Sequence, residues 1–371
     1  MMLMFKGRRL LGMLLVALVA SLGLVSCDDD DNNMDTVDFD RRAMLESVAT
    51  NLIIPNFEAL QSSVNTLSDA TNTFVQNTNE ANLAALKTAW IQAVTDHQHC
   101  SAFGFGPAEL VLGPYAAVLG VFPVDEAQVE QNMLDPNFSI VNTFDTDVRG
   151  FYAVEYLIYG RTGSTPAEVV AGFDQARKDY LLLIMDELKT TFDNIVNEWN
   201  GAYLQEFIDS DGTSRGSSIS LYYNEFVKDY ENLKNFKVEL PAGLTAGQEG
   251  IDGELVEAFY SGISRDLIIE HFENSKNIWL GLARDGKEII GFADYVASTV
   301  GGPDLVAQAA EAITRIDQAI TNLPQGRLSD NIGNQTVVVL RDELQNNTAN
   351  FKSSTSSLLG ISITFNSGDG D

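Results

Sequence analysis

Apolar residues recur every three or four positions along almost the whole chain, and this spacing restricts the possible fold more than any other feature. Leu45, Val48, Leu52, Leu60, Val64 and Leu67 make one such stripe, and Leu83, Leu86, Trp90 and Ala93 a second. Further stripes are Ile219, Tyr222, Phe226, Tyr230 and Leu233; Leu267, His271, Ile278 and Leu282; Leu305, Ala309, Ile313, Ile316, Ile320 and Leu323; and Val337, Leu340, Leu344, Phe351 and Leu358. Residues three and four apart share one face of an α-helix, and an apolar face must be buried against another. The period of two that marks a strand is found at Ile361-Ser362-Ile363-Thr364-Phe365, directly before a Gly/Asp-rich tail. The expected fold is all-α, built of packed helical bundles.

The breaks in the pattern divide the chain. Pro55 falls inside the first stripe and predicts a kink. Thr165-Pro166-Ala167-Glu168 reads as a capping box with proline in the first helical position. The helix it opens is expected to run on through Phe173, Arg177, Tyr180, Ile184, Leu188, Ile195 and Trp199. Ser264 reads as a helix N-cap. The polar stretch 210–217 is the best linker, separating helical halves at 41–209 and 218–371. No internal repeat is visible.

Residues 1–26 read as a signal rather than as fold. Lys6, Arg8 and Arg9 precede an apolar run, Leu10 to Val25, too short for a comfortable membrane span. The run ends in Leu24-Val25-Ser26-Cys27, which resembles a bacterial lipobox, so a lipid on Cys27 is expected to anchor the chain to a membrane. Asp28 to Asp31 follow, and residues 27–40 read as a solvated acidic tether. An acidic run in that place resembles an export tag for the outer face of the outer membrane; the periplasmic face is the alternative.

The chain has 23 basic and 52 acidic residues, a net charge of −29. Loss of Lys6, Arg8 and Arg9 with the signal would leave 20 basic residues and a charge of −32. Such a chain repels nucleic acid and suits cations, metal ions or simple solubility. Cys27 and Cys100 are the two cysteines. With Cys27 lipidated no disulfide framework can form, and Cys100, in an apolar neighbourhood, reads as a buried inert thiol.

Gly150-Phe151-Tyr152-Ala153-Val154-Glu155 resembles the signature helix of the imelysin family, Gly-x-His-x-x-Glu, with Tyr152 at the histidine position. Other blocks are similar to the same family in order and spacing. Trp90 leads to Phe103-Gly104-Phe105-Gly106-Pro107, with Val94 and Ser101 standing at the arginine and glutamate positions. Asn224-Glu225-Phe226, Glu231 to Asn235, Glu257 to Ser264, Gly291 to Tyr295, Gly360 to Phe365 and Asp369 to Asp371 continue the likeness. Together these cover most of residues 41–371. The resemblance implies two related four-helix-bundle-like halves packed together, with a ligand site around Gly150, Tyr152, Glu155, Trp90, Phe105 and Gly106.

Tyr152 and Glu155, three apart on a helix, share a face. A His/Glu pair at that spacing can hold a metal. A Tyr/Glu pair is a poorer ligand set, because a phenol stays protonated near neutral pH. Two readings stand: an iron or zinc site drawing on Glu155, Tyr152, His97 and His99, or a hydrogen bond from the tyrosine to the glutamate bracing the core. His97 and His99 point apart on a regular helix and meet only if the helix ends before His97; otherwise one lies at the surface and one near the Trp90 face. His271, on its helix stripe, reads as a satisfied core histidine. Gly212-Thr213-Ser214-Arg215-Gly216 matches a nucleophile elbow as a string but lies in a polar interhelical loop, so it reads as chance. Asp209-Ser210-Asp211-Gly212 begins like a calcium loop and lacks its closing glutamate.

The resemblance implies a binding or accessory module in iron or iron-complex acquisition, with an outer-membrane transport partner. The alternatives are a metallopeptidase of the imelysin type, with Glu155 as its catalytic group, and a purely structural surface protein.

Overall fold

The computed structural model describes residues 39–365, and these form one compact unit. The expectations for residues 1–26, Cys27, Asp28 to Asp31 and Asp369 to Asp371 fall outside the described residues. Within them the chain is helical nearly throughout, as two packed bundles. Among the described residues no helix is long and apolar enough to cross a membrane.

The first bundle is made by α1 (Arg41–Val48), α2 (Ile54–Gln76), α3 (Glu80–Gln98), α4 (Tyr115–Leu119), α5 (Glu126–Leu134), α6 (Gly150–Tyr159), α7 (Pro166–Ala171), α8 (Gln175–Glu198) and α9 (Leu204–Asp209). Helix α2 packs along both α3 and α8, and α6 lies across α3 and α8. The second is made by α10 (Ser218–Asn232), α11 (Ser264–Leu280), α12 (Phe292–Ala297), α13 (Gly302–Thr321), α14 (Gln335–Thr348) and α15 (Thr355–Leu359). A two-residue antiparallel pair, β1 (Glu109–Leu110) with β2 (Gly113–Pro114), is the one named sheet among the described residues. Helix α11 packs on α3, and one buried apolar cluster draws on both bundles.

Several starts are capped as their side chains allow. Asp40, Asn79, Asp125 and Asp174 each accept a backbone N–H from the first turn of the following helix. The irregularity expected at Pro55 is a widened π-type stretch, Ala49–Ile53, directly before it. That local geometry absorbs the missing proline N–H without ending the rod.

The structure corrects two expectations about helix starts. The capping box at Thr165 and Glu168 forms, but the helix it opens is α7 alone. The chain turns at Gly172 and restarts at α8, whose N-cap Asp174 takes the Arg177 amide at 3.0 Å. Ser264 is not a cap: it is the first residue of α11, and its hydroxyl donates to the Glu257 carbonyl instead. The alternating 361–365 stretch joins no sheet. The Asn224 side chain pairs it, donating to Ser362 O at 3.1 Å and accepting from Thr364 N at 2.8 Å.

Candidate functional site

Helix α6 is buried at every position from Gly150 to Ile158. A helix apolar on all sides belongs in an interior, and Glu155 is the one ionisable carboxylate it carries there. Gly150 starts the helix at φ +71°, and a Cβ on it would stand 2.0 Å from the Leu119 carbonyl oxygen. Only glycine allows both that backbone and that approach.

Tyr152 and Glu155 meet the same turn of the second bundle. The Tyr152 hydroxyl donates to Glu257 Oε1, which also accepts from Gln98 Nε2 at 3.1 Å. Lys237 Nζ bonds Gln98 Oε1 and lies 2.9 Å from Glu257 Oε2, a contact of opposite charges rather than an aligned hydrogen bond. Glu155 Oε1 accepts the Ser261 backbone N–H at 2.7 Å. Between Glu257 and Ser261 the chain turns through Ala258 at φ +54°, unusual for a residue with a Cβ, and Gly262 N closes the turn on Ala258 O at 2.9 Å. This turn delivers a carboxylate to Tyr152 and an amide to Glu155 one helical turn apart.

Burial dominates the electrostatics. It pushes the Glu155 pKa up to about 7; Glu257 adds to the rise, while the Ser261 hydrogen bonds and Arg327 oppose it. Burial, with the nearby Glu257 charge, also raises the Tyr152 phenol well above its ordinary range, so the phenol remains a neutral donor.

Both side chains line a cavity of about 370 Å³ that also takes in Phe122, Glu126, Glu254 and Tyr260. The Tyr260 hydroxyl donates to Glu126 Oε1 at 2.7 Å. Arg161, the one cationic side chain in the lining, lies 3.8 Å from Glu126 and is 78% exposed.

The other residues singled out in the sequence lie elsewhere. Trp90 is fully buried behind α6, its Nε1 donating to Phe151 O at 2.8 Å. Phe105 packs with Trp199, Phe207 and Tyr222, and Gly106 abuts Tyr203. None of these three lines the cavity. Helix α3 continues to Gln98, so His97 and His99 diverge, and both are buried rather than one being at the surface. The His97 ring stacks on Phe151 at 4.9 Å, whereas His99 Nε2 lies 2.9 Å from Glu270 Oε2. His271 is buried with Nε2 shared between the Asp229 carbonyl, 3.1 Å away, and Oδ2, at 2.8 Å. Cys100 is fully buried, its thiol pKa pushed up chiefly by burial. The Tyr152 hydrogen bond that braces the core goes to Glu257, not to Glu155.

The metal set named from the sequence (Glu155, Tyr152, His97 and His99) does not assemble. Among the described residues no group of three or more His, Cys, Asp and Glu side chains is placed to hold a metal ion. Tyr152 has given its proton to a hydrogen bond with Glu257, and Glu155 has given one oxygen to Ser261. These donors do not fit a resident iron or zinc centre, which needs three or four converging ligands.

Glu257, Gln98, Lys237 and Ser261 complete the site and were not singled out as site residues by sequence reasoning. Glu257 and Ser261 lie in one of the family-like blocks, which was the available signal. Nothing local pairs Gln98 or Lys237 with them.

The fold and site together define an all-α protein of two bundles with a carboxylate-bearing helix buried at their junction. The chain belongs to the imelysin family, whose model matches residues 53–354. Iron-regulated protein A of Synechococcus elongatus is 22% identical over 254 residues, covering 65% of each chain. The chain thus spans about two thirds of the length of that curated relative. Two solved structures share the fold. A candidate iron-regulated protein A precursor from Parabacteroides distasonis has a TM-score of 0.71 and 16% identity, over 86% of this chain and 95% of that one. An imelysin-like protein from Psychrobacter arcticum has a TM-score of 0.67 and 18% identity, over 88% and 97%.

Proposed function

We propose that this chain is a binding or accessory protein in iron handling, capturing an iron complex as cargo in the cavity beside Tyr152 and Glu155. The observation that carries this reading is the lining: Glu126, Glu155 and Glu254 face one cavity with a single arginine. An acidic lining on a strongly acidic chain favours cationic cargo. The curated relative named for iron regulation supports the iron assignment. On this reading Cys27 carries the lipid anchor, Asp28 to Asp31 favour the outer face of the outer membrane, and an outer-membrane transporter receives the cargo.

A second reading, a hydrolytic site, draws on Glu155 alone. A carboxyl group with a pKa of about 7 is in the range of a general base. It lacks a histidine partner, because Tyr152 is committed to Glu257.

Purified wild type and Glu155→Ala would be incubated anaerobically with ferrous sulfate, and bound iron counted after gel filtration. Retention by wild type and its loss in the variant is expected. Equal retention by both, or by neither, overturns the binding reading. Zinc-dependent cleavage of unfolded casein by wild type, abolished in Glu155→Ala, would establish the peptidase in its place. Cys27→Ser is expected to release the protein from the membrane fraction, and continued attachment would remove the anchor.

A further inference from the structure

A second cavity, of about 340 Å³, shares Phe122 as a wall with the first, and its lining includes Glu257 and Lys237, which stand behind Tyr152 of the first. Its volume is that of a small-ligand pocket, at the low end of the usual range of about 300–1,000 Å³. One side is apolar, made by Ala116, Val121, Phe122 and Leu240. The other carries the buried His97, Asp229, Lys237, Glu257 and His271, with Lys228 beside them.

His97 is 4% exposed, and its Nδ1 has no partner. Its Nε2 points at Gly120 on the same cavity wall, where a Cβ would stand 2.6 Å away. Burial, with help from Lys237 and His271, drives its pKa down to about 3, so the ring is neutral and offers one donor and one acceptor. Lys237 donates to Gln98 Oε1 and lies 2.9 Å from Glu257 Oε2, and an ammonium has three N–H groups in all. Asp229 Oδ2 lies 2.8 Å from His271 Nε2 without an aligned hydrogen bond, so this oxygen keeps its capacity as an acceptor.

A buried wall whose charges already face partners, Lys237 against Glu257 and Asp229 against His271, beside a neutral imidazole ring, poorly accommodates an ion of either sign. Such an ion would bring uncompensated charge into a low-dielectric site. A zwitterion brings both charges and no net one. We propose that this cavity binds a free α-amino acid with an apolar side chain. Its carboxylate faces Lys237, its ammonium faces Asp229, and its side chain packs against Val121, Phe122 and Leu240. The proposal is independent of the iron reading, because Glu155 does not line this cavity.

Calorimetric titration of the purified chain with L-leucine, L-valine, L-methionine and L-phenylalanine tests it. Two truncated forms of leucine serve as controls: 4-methylpentanoate, which lacks the ammonium, and 3-methylbutylamine, which lacks the carboxylate. At least one amino acid is expected to bind, with the matching truncated forms weaker by about tenfold or more. Asp229→Asn should weaken the amino acid by a similar factor and leave 4-methylpentanoate unchanged. Ala116→Leu, which fills the apolar side, should abolish all binding. Absence of heat with all four amino acids at millimolar concentration overturns the proposal. So does binding of the amine or the acid as tight as that of leucine, which would make the cavity a simple ion site. The truncated series uses wild type alone, so it decides the question even if a variant fails to fold.

Discussion

Replacing Glu155 by glutamine removes one titrating group and keeps the acceptor for the Ser261 amide. In the folded chain the Glu155 pKa is raised from an ordinary 4.5 to about 7. The native state therefore holds a proton that the unfolded state has released between those values. Stability contributed by the neutral carboxyl is complete below pH 4.5 and is lost as pH rises toward 7, with no further change above. At about 1.4 kcal/mol per pH unit, the full loss is on the order of 3 kcal/mol. His97 acts with the opposite sign. Its pKa falls from 6.5 to about 3, so the unfolded chain binds the extra proton and stability rises with pH up to about 6.5.

Between pH 4.5 and 6.5 the two slopes nearly cancel, and wild type should show little net dependence from this pair. Glu155→Gln should unmask the histidine slope. Urea unfolding of wild type and variant at half-unit steps from pH 4.5 to 8.5 gives the difference directly. The stability of wild type relative to the variant should fall by about 3 kcal/mol between pH 4.5 and 7 and then level off. A difference curve flat across that range would show that Glu155 is ionised and solvated in the folded chain, refuting its placement as a buried, largely protonated carboxyl. A difference that rises with pH would require a cation at Glu155 that outweighs burial.

Trp90→Ala should cost on the order of 3–5 kcal/mol in denaturant titration, as a fully buried aromatic donating to Phe151 O; a loss below about 1 kcal/mol would place the ring at the surface. Lys237→Met should cost a similar amount by leaving Glu257 buried without its cation, and adding Glu257→Gln should recover much of it. An additive double variant would remove the pair from the account. Gly150→Ala should lose on the order of 2–4 kcal/mol, because φ +71° and a contact of 2.0 Å with Leu119 O must both be relieved. A melting temperature equal to that of wild type would contradict the close approach.

Helices were legible wherever an apolar stripe ran unbroken, because burial of one face is a local property of spacing. The stops were less so. Gly172 ends α7 where the stripe through Phe173 and Arg177 continues, and the competing signal is Asp174, an equally good cap. Ser264 has the residue type of a cap, but its hydroxyl is claimed by the Glu257 carbonyl seven residues back. The alternation at 361–365 is real, with Ile361 buried and Ser362 exposed, yet a single asparagine side chain replaces the neighbouring strand. At the site, Tyr152 and Glu155 were visible because they occupy the histidine and glutamate positions of the family-like motif, and a spacing of three on a helix then sets a shared face. Glu257 and Lys237 belong to a buried pair closed by tertiary packing, which no local pattern encodes.

Tyr152 stands where the family motif has histidine, and its partners explain what the exchange does. A neutral phenol is a pure donor to a carboxylate that already takes Gln98 and faces Lys237. Burial and the Glu257 charge keep its proton in place, so Tyr152 joins the bundles without titrating. Glu155, one turn along the same helix, then remains the group on α6 whose charge can change near neutrality. Under the proposed function, cationic cargo entering the cavity favours the ionised carboxylate and expels its proton. Capture should therefore release protons below pH 7, a coupling that rests on Glu155 and that a histidine at position 152, itself titrating in the same range, would blur.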